Sequence, residues 1–230
     1  MQIGKAFTYV FEDTKWFTKL LLGALVSIVP ILNFAFIGYL TEILRRVPNN
    51  DQEPLPSWDD FGKKFMDGLL LALAGLVYSI PLLLLGIPFF PMMVGAMSGD
   101  PDVVNTMATI TSGLFAIFGC LAGLYGLFLT VFYPAVQINF SRQGSFGSCF
   151  QIGTIIKVAT GKFGNYLLAW LMYLVFAVVI GTICGICSAA VGWIPCIGWI
   201  AALLIYGLMS PLIGVVYAHL FGQVGAKMPA

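Results

Sequence analysis

Residues 163–191 read FGNYLLAWLMYLVFAVVIGTICGICSAAV and contain no charged side chain. A helix rises about 1.5 Å per residue, so about 20 apolar residues cross the roughly 30 Å hydrocarbon core of a bilayer. This block exceeds that length, and it lacks the polar face that a helix on the surface of a soluble protein would carry. The stretch therefore predicts a transmembrane helix with room for tilt.

Four further apolar blocks surround it, at residues 17–44, 67–97, 105–140 and 197–222. The 230-residue chain is 60% hydrophobic and only 9% charged, and its mean hydropathy is +0.96. Soluble domains carry roughly 25% charged residues. These values predict an all-α integral membrane protein that crosses the bilayer several times. The net charge of +1 argues against nucleic-acid binding, which needs a concentrated basic face.

A short motif, [I/F]-G-x-x-F, occurs at residues 3–7, 61–65 and 146–150. Each copy lies in a short amphipathic stretch near Lys or Arg, which is typical of a helix lying in the membrane interface. We interpret the chain as a single membrane domain, residues 1–230, built from three repeats of an interfacial amphipathic helix followed by a helical hairpin. The repeat units are residues 1–47, 57–140 and 145–222, with a polar linker at residues 48–56.

Proline marks the expected turn of each hairpin, at Pro30, Pro88 and Pro195, because the residue before a proline is pushed away from helical geometry. The arms of the first hairpin have about 14 residues, or about 21 Å. That length is too short for a core of about 30 Å, so we predict a short or re-entrant hairpin sheltered by the other helices. This interpretation gives four full spans plus the hairpin. One kinked span from Leu20 to Leu40, giving five spans, is the alternative.

The basic residues are distributed asymmetrically along the chain. All eleven Lys and Arg lie in the N-terminal segment, the first loop, residues 142–162 and the C-terminus, and the expected turns at 98–104 and 192–198 contain none. If the first block is a hairpin, all eleven fall on one side, which the positive-inside rule assigns to the cytoplasm. We therefore predict a multi-pass protein of the cell (inner, cytoplasmic) membrane with both termini in the cytoplasm.

The sequence offers no recognisable catalytic constellation. His219 is the only histidine, so no Ser/His/Asp set can be assembled without it. Phosphate-loop and dinucleotide fingerprints are absent as well. We therefore predict that the protein is not an enzyme and that it holds no cofactor and no metal.

Three cysteines, Cys184, Cys187 and Cys196, cluster near the expected outer turn of the third hairpin. A disulfide among them is one interpretation, since an exported face can be oxidising. Small packing residues in membrane helices are the other interpretation. A zinc site would need a fourth ligand, and none is nearby.

Small residues recur at four-residue spacing in three of the apolar blocks, an arrangement that lets membrane helices approach closely. They are candidates for packing inside the bundle or for a subunit interface. The positions are Gly119, Gly123, Gly181, Gly185, Ser210, Gly214, Ala218 and Gly222.

Asn33 and Glu42 are candidates for a polar site within the membrane, because polar and ionisable groups are costly to keep there. Glu42 lies one helical turn from Arg45 and Arg46. An interfacial ion pair is therefore the alternative interpretation of Glu42.

Three segments resemble those of a known family: IGKAFTYVFED from residue 3, GYLTEILRRV from residue 38 and LPSWDDFGKKFMDGL from residue 55. With them the chain resembles bacterial and archaeal multi-pass membrane proteins known only as a domain of unknown function, the 4013 family. The likeness covers nearly the whole chain and is most specific in the third segment. The resemblance implies a membrane fold. It transfers no site residues, because that family has no assigned activity.

Two functions are consistent with these patterns. The first is a non-catalytic integral membrane subunit or scaffold that packs with other membrane proteins or with itself as a homo-oligomer, with membrane lipids as further partners and no nucleic acid. The second is a transporter or channel for a small or lipidic solute, since broken helices at membrane depth often line binding sites.

Overall fold

The computed structural model describes residues 2–49, 54–194 and 197–226. The regular elements in these ranges are all helical. The N-terminal helices are α1 (Ile3–Thr8), α2 (Trp16–Ile28) and α3 (Asn33–Arg46). The central helices are α4 (Phe61–Gly86), α5 (Phe90–Ser98), α6 (Pro101–Leu114) and α7 (Cys120–Gln143). The C-terminal helices are α8 (Ile152–Thr160), α9 (Phe163–Gly192) and α10 (Ile197–Ala226).

Four helical segments in the described part of the chain are long and apolar enough to cross a membrane. A 3-10 turn at Ile87–Phe89 joins α4 to α5, and a π-helical turn at Phe115–Gly119 joins α6 to α7. The four segments are Phe61–Ser98, Pro101–Gln143, Phe163–Gly192 and Gly198–Ala226. The predicted all-α membrane protein with four long apolar spans is therefore confirmed.

The first apolar block forms two short helices with a break at Pro30. Val29 leaves helical geometry, with φ −87° and ψ 117°, as expected for the residue before a proline. α2 has 13 residues and α3 has 14, so each is about 20 Å long and does not reach across a core of about 30 Å. The alternative of one kinked span from Leu20 to Leu40 is not formed.

α2 and α3 are antiparallel, as their contacts with α10 show. From Gly207 to Gly222 along α10, the contacting residues of α2 run backwards, from Ile28 to Gly23. The contacting residues from α3 onward run forwards, from Leu40 to Val47. The contacting pairs are Ile28 with Gly207, Gly23 with Pro211, Leu40 with Gly214 and Val47 with Gly222. The first block is thus a short helical hairpin packed along α10.

α3 crosses the start of α4 in direct backbone contact. A Cβ at Gly38 would overlap the carbonyl of Lys64, and a Cβ at Gly68 would overlap the carbonyl of Phe34. Glycine at both positions lets the two backbones approach this closely, because it carries no side chain. The crossing fixes the end of α3 against the first turns of α4.

The chain divides into two compact units, residues 1–72 with 134–230 and residues 73–133. The first unit contains α1 to α3, the start of α4, the end of α7 and α8 to α10. The second unit is a helical hairpin made from the rest of α4, α5, α6 and most of α7. In the described residues the three motif copies open different structures: α1, α4 itself and a 3-10 helix at Phe146–Phe150. The single domain of three repeats therefore stays a prediction.

The hairpin of the second unit turns at Gly99, within the turn expected at 98–104, so the turn expected at Pro88 is wrong. Pro88 lies in the first turn of a 3-10 helix, where its missing N–H breaks no helical hydrogen bond, and the chain continues into α5. Gly99 has φ +69°, a conformation that glycine adopts without strain, and the Asp100 side chain then caps α6. Pro195, the third expected turn, lies outside the described residues.

The crossing of α3 and α4 predicts that one methyl group added at Gly38 destabilises the fold. Gly38→Ala should reduce the free energy of unfolding by about 1–3 kcal/mol, because its Cβ forces two backbones apart. Gly62→Ala is the matched control, since Gly62 lies in the first turn of α4 and its Cβ would meet nothing within 4 Å. Unfolding of both variants in mild detergent measures the difference. Equal stability of the two variants would show that the crossing tolerates a side chain.

Candidate functional site

Charged side chains converge where α3 ends and α4 begins. Glu42 pairs with Lys64 at 2.8 Å and with Arg46 at 2.6 Å. The Lys64 side chain is only 3% exposed, so its charge has lost most of its hydration and depends on Glu42 for compensation. The interfacial ion pair expected for Glu42 with Arg46 therefore exists, and it includes a buried lysine that sequence reasoning missed.

Arg45 connects three helices next to this cluster. Its Nη1 bonds the Asp67 carboxylate of α4 at 2.6 Å. Its Nε donates to the carbonyl of Ser141 near the end of α7 at 2.8 Å. The guanidinium is therefore held in one orientation.

A third carboxylate, Asp13, holds the N-terminal segment against the end of the linker. It accepts hydrogen bonds from Lys19 Nζ at 2.7 Å, the Lys15 N–H at 2.8 Å and the Leu55 N–H at 3.2 Å. Burial raises the pKa of Asp13, but these hydrogen bonds and the Lys19 charge lower it by more, so its pKa lies below the ordinary value. Asp13 is thus a structural carboxylate that is ionised at neutral pH.

A cavity of about 1040 Å³ opens beside Arg45. Its walls come from the ends of α3, α7 and α10, from α8 and from the residues just before α9. Its apolar lining includes Leu44, Ile138, Val158 and Phe221. Its charged lining consists, among the described residues, of four cations and no carboxylate: Arg45, Arg142, Lys157 and Lys162. We call this feature the basic cavity.

Backbone and amide groups order the mouth of the basic cavity. Arg142 donates to the carbonyl of Gly225 near the end of α10. Asn139, which is 2% exposed, donates to the carbonyl of Ser148 at 2.8 Å, and Gln143 bonds Gln151 through both of its amide atoms. These bonds hold α7, the 3-10 helix and α10 in one arrangement.

The small residues predicted on α10 lie inside the chain. Ser210 Oγ is 3.1 Å from Ser27 Oγ, and Ala218 is fully buried. A Cβ at Gly214 would lie 2.9 Å from Leu40, and a Cβ at Gly222 would lie 2.8 Å from Val47. This face therefore packs against the first hairpin and the turn that follows it.

The other predicted small residues are open or nearly so. A Cβ at Gly123 or Gly181 would meet no described atom within 4 Å. A Cβ at Gly119 would meet only Phe115 of its own helical segment, and a Cβ at Gly185 would lie 3.8 Å from the Tyr206 hydroxyl. These positions, at the end of the π-helical turn before α7, on α7 and on α9, contribute little to packing within the described chain.

Asn33 and Glu42 do not share a site. Asn33 begins α3, and Glu42 lies near its other end, about 13 Å away along the helix axis at 1.5 Å per residue. Asn33 is half-buried, and Glu42 is engaged by its two cations. The structure therefore places the two predicted polar groups at opposite ends of one arm of the hairpin.

Two of the described cysteines, Cys149 and Cys184, and the histidine His219 are buried. Cys184 and Cys187 are not bonded to each other. Cys196 lies outside the described residues, so a disulfide that includes it stays a prediction. Burial raises the pKa of Cys149 to about 11, so it is a thiol at neutral pH and a poor nucleophile. His219 is buried against the Tyr9 ring. Within the described residues no three His, Cys, Asp or Glu side chains form a metal-binding group.

The buried pair of Glu42 and Lys64 makes a prediction about stability. Glu42→Gln should reduce the free energy of unfolding by about 2–3 kcal/mol, because it leaves a desolvated ammonium without its carboxylate. Adding Lys64→Met should recover most of that loss. A double-mutant cycle by unfolding in detergent measures the coupling, and Glu12→Gln, at an exposed residue, is the control. Additive effects of the two substitutions would contradict the coupling.

The comparisons with known proteins give a family and no activity. Residues 21–189 match the family model described as a protein of unknown function (DUF4013). Neither a curated protein nor a solved structure matches the chain. The matched range includes the first hairpin from residue 21 onward, the α3–α4 crossing, the second unit and all four cations of the basic cavity. The chain therefore belongs to the DUF4013 family of multi-pass helical membrane proteins of unknown function.

Proposed function

We propose that this chain is a non-catalytic membrane subunit or scaffold that packs with other membrane proteins, or with a second copy of itself, through the small-residue faces of α7 and α9. The observation that carries the proposal is a contrast between glycine faces. The face of α10 is filled by the chain's own first hairpin, whereas Gly123 and Gly181 meet no described atom. Small-residue faces let membrane helices gain dispersion contacts that lipid cannot match.

The surroundings of the candidate nucleophiles and bases support a role without catalysis. The carboxylates at the α3–α4 crossing are engaged by cations, Cys149 is a buried thiol, and His219 is packed against an aromatic ring. A general base must lie within hydrogen-bond reach of a reacting group. None of these three arrangements presents a base together with a nucleophile.

The transport hypothesis has weaker support. It expects a cavity that reaches Asn33 or Glu42, and neither residue lines the basic cavity. Ion-coupled transport commonly uses carboxylates exposed to a pathway in the membrane, whereas Glu42 is held by Lys64 and Arg46. These observations favour the packing role.

We also infer that both chain ends lie on the cytoplasmic side of the cell membrane. Gln2 and Gln223 exchange two hydrogen bonds, at 2.7 and 3.0 Å, so the two ends of the described chain meet. A hairpin followed by four spans returns the chain to its starting side. The Lys and Arg residues cluster at this side, which supports a cytoplasmic assignment.

The packing role predicts that bulky residues on the open faces weaken association. Gly123→Leu and Gly181→Leu should each lower the association constant about tenfold or more, since a leucine side chain prevents close helix approach. Energy transfer between donor- and acceptor-labelled copies in lipid vesicles measures self-association. Native mass spectrometry of the protein in mild detergent measures a stoichiometric membrane partner.

Gly113→Leu is the matched control, because Gly113 is equally open but lies outside the two faces. Gly214→Leu should instead destabilise the folded chain, because its Cβ meets the first hairpin. A strict monomer with no stoichiometric partner, or equal association of Gly123→Leu and Gly113→Leu, would overturn the packing role.

The orientation predicts that short tags at the two ends behave alike. In intact cells both tags should be protected from an impermeant reagent, and both should become reactive when the membrane is permeabilised. A tag in the turn near Gly99 is the control and should react without permeabilisation. Protection of one terminal tag and exposure of the other would contradict an even number of crossings.

A further inference from the structure

We propose that the basic cavity binds a phosphate group, and that the group is the headgroup phosphate of an anionic membrane lipid. The proposal rests on the charge, the lining and the position of the cavity. It is independent of the packing role, which concerns other faces of the chain.

Two of the four cations of the basic cavity have no carboxylate partner among the described residues. Lys157 and Lys162 form no ion pair with any described residue, although the chain has nearly as many acidic as basic residues, 10 against 11. Asp67 is engaged by Arg45, and the carboxylates Asp13 and Glu42 are engaged by Lys19 and Lys64, outside the cavity. A wall with several cations and no carboxylate attracts an anion.

Arg45 is held in a position to donate a hydrogen bond to such an anion. Asp67 and the Ser141 carbonyl engage its Nη1 and Nε atoms, which leaves Nη2 without a hydrogen bond to a described residue. A guanidinium that is already held loses little further freedom on binding phosphate, and its planar donors match phosphate oxygens. Arg45 therefore supplies a positioned donor, and the two lysines supply mobile charge.

The remaining lining fits an amphiphile better than a free ion. Leu44, Ile138, Val158 and Phe221 add an apolar surface to the cations. A volume of about 1040 Å³ is that of a site for a small organic molecule and is much larger than one phosphate requires. A phosphate with an attached glycerol and the start of an acyl chain would use both kinds of surface.

The cavity lies at the level where the spans end. Arg142 is at the end of the span Pro101–Gln143, Lys162 immediately precedes the span Phe163–Gly192, and Gly225 is at the end of the span Gly198–Ala226. The ends of spans lie at the headgroup region of a bilayer. Basic pockets between membrane helices at this depth bind the headgroups of anionic lipids.

The test compares two lysine pairs in the full-length protein. Lys157→Gln with Lys162→Gln removes two cations of the cavity, and Lys15→Gln with Lys63→Gln removes two exposed cations outside it. Native mass spectrometry then measures retention of phosphatidylglycerol and of phosphatidylcholine. With each lysine contributing about 1 kcal/mol near a charged lipid, the cavity pair should weaken phosphatidylglycerol binding about thirtyfold, and the control pair should change it less than about threefold.

Inorganic phosphate distinguishes the two sources of the phosphate group. If the site binds a lipid, phosphatidylglycerol should stay bound when inorganic phosphate is present at about tenfold the lipid concentration. Displacement at that excess would overturn the lipid assignment and assign the cavity to soluble phosphate. Equal binding of the two lipids, or equal losses in the two double variants, would overturn a phosphate site altogether. The cavity variant should self-associate like the unsubstituted protein in the energy-transfer measurement. That result separates the test of the lipid site from the test of the packing role.

Discussion

The contact of α3 with α4 at Gly38 and Gly68 is the constraint on which the charged end of the first unit depends. Two backbones approach there without an intervening side chain. At that separation Glu42 and Arg45 of α3 fall within ion-pair distance of Lys64 and Asp67. Lys64 is itself the contact of Gly38, and Asp67 adjoins Gly68. Wider separation would leave Lys64 buried without its carboxylate, which is strongly destabilising. The glycine crossing and the ion pairs therefore require each other.

Packing in the rest of the first unit is organised by α10. Its small residues admit both arms of a hairpin whose helices are each too short to cross the bilayer alone. Lipid is as apolar as the side chains of these helices, so burial of apolar area contributes little to their association. Close packing and hydrogen bonds such as the one between Ser27 and Ser210 stabilise their association instead. The same physics explains why the long spans expose most of their apolar side chains.

Much of the architecture could be predicted from the sequence because a bilayer imposes simple rules of length and polarity. The apolar blocks predicted the spans, and Pro30 predicted the break in the first block. Pro88 gave a wrong turn, since a proline in the first turn of a helix breaks no hydrogen bond. The crossing glycines were missed because Gly38 and Gly68 do not share a helix, and spacing within one helix was the only available signal.

The candidate sites were harder to predict. Glu42 was found through its spacing from Arg46, but its stronger constraint, Lys64, lies on another helix. Lys157 and Lys162 were used only to judge orientation, because nothing in a linear sequence shows that they face the ends of α3, α7 and α10. Sites built from several distant segments depend on tertiary geometry, and local patterns do not contain that information.

The packing of the first hairpin on α10 has a consequence for biosynthesis. A ribosome makes α2 and α3 well before α10, so the two arms enter the membrane before their main neighbour exists. Assembly of the N-terminal part of the fold therefore waits for the C-terminal helix. A nonsense mutation that removed α10 would consequently damage the first hairpin as well, by leaving its two helices without the surface that they pack on.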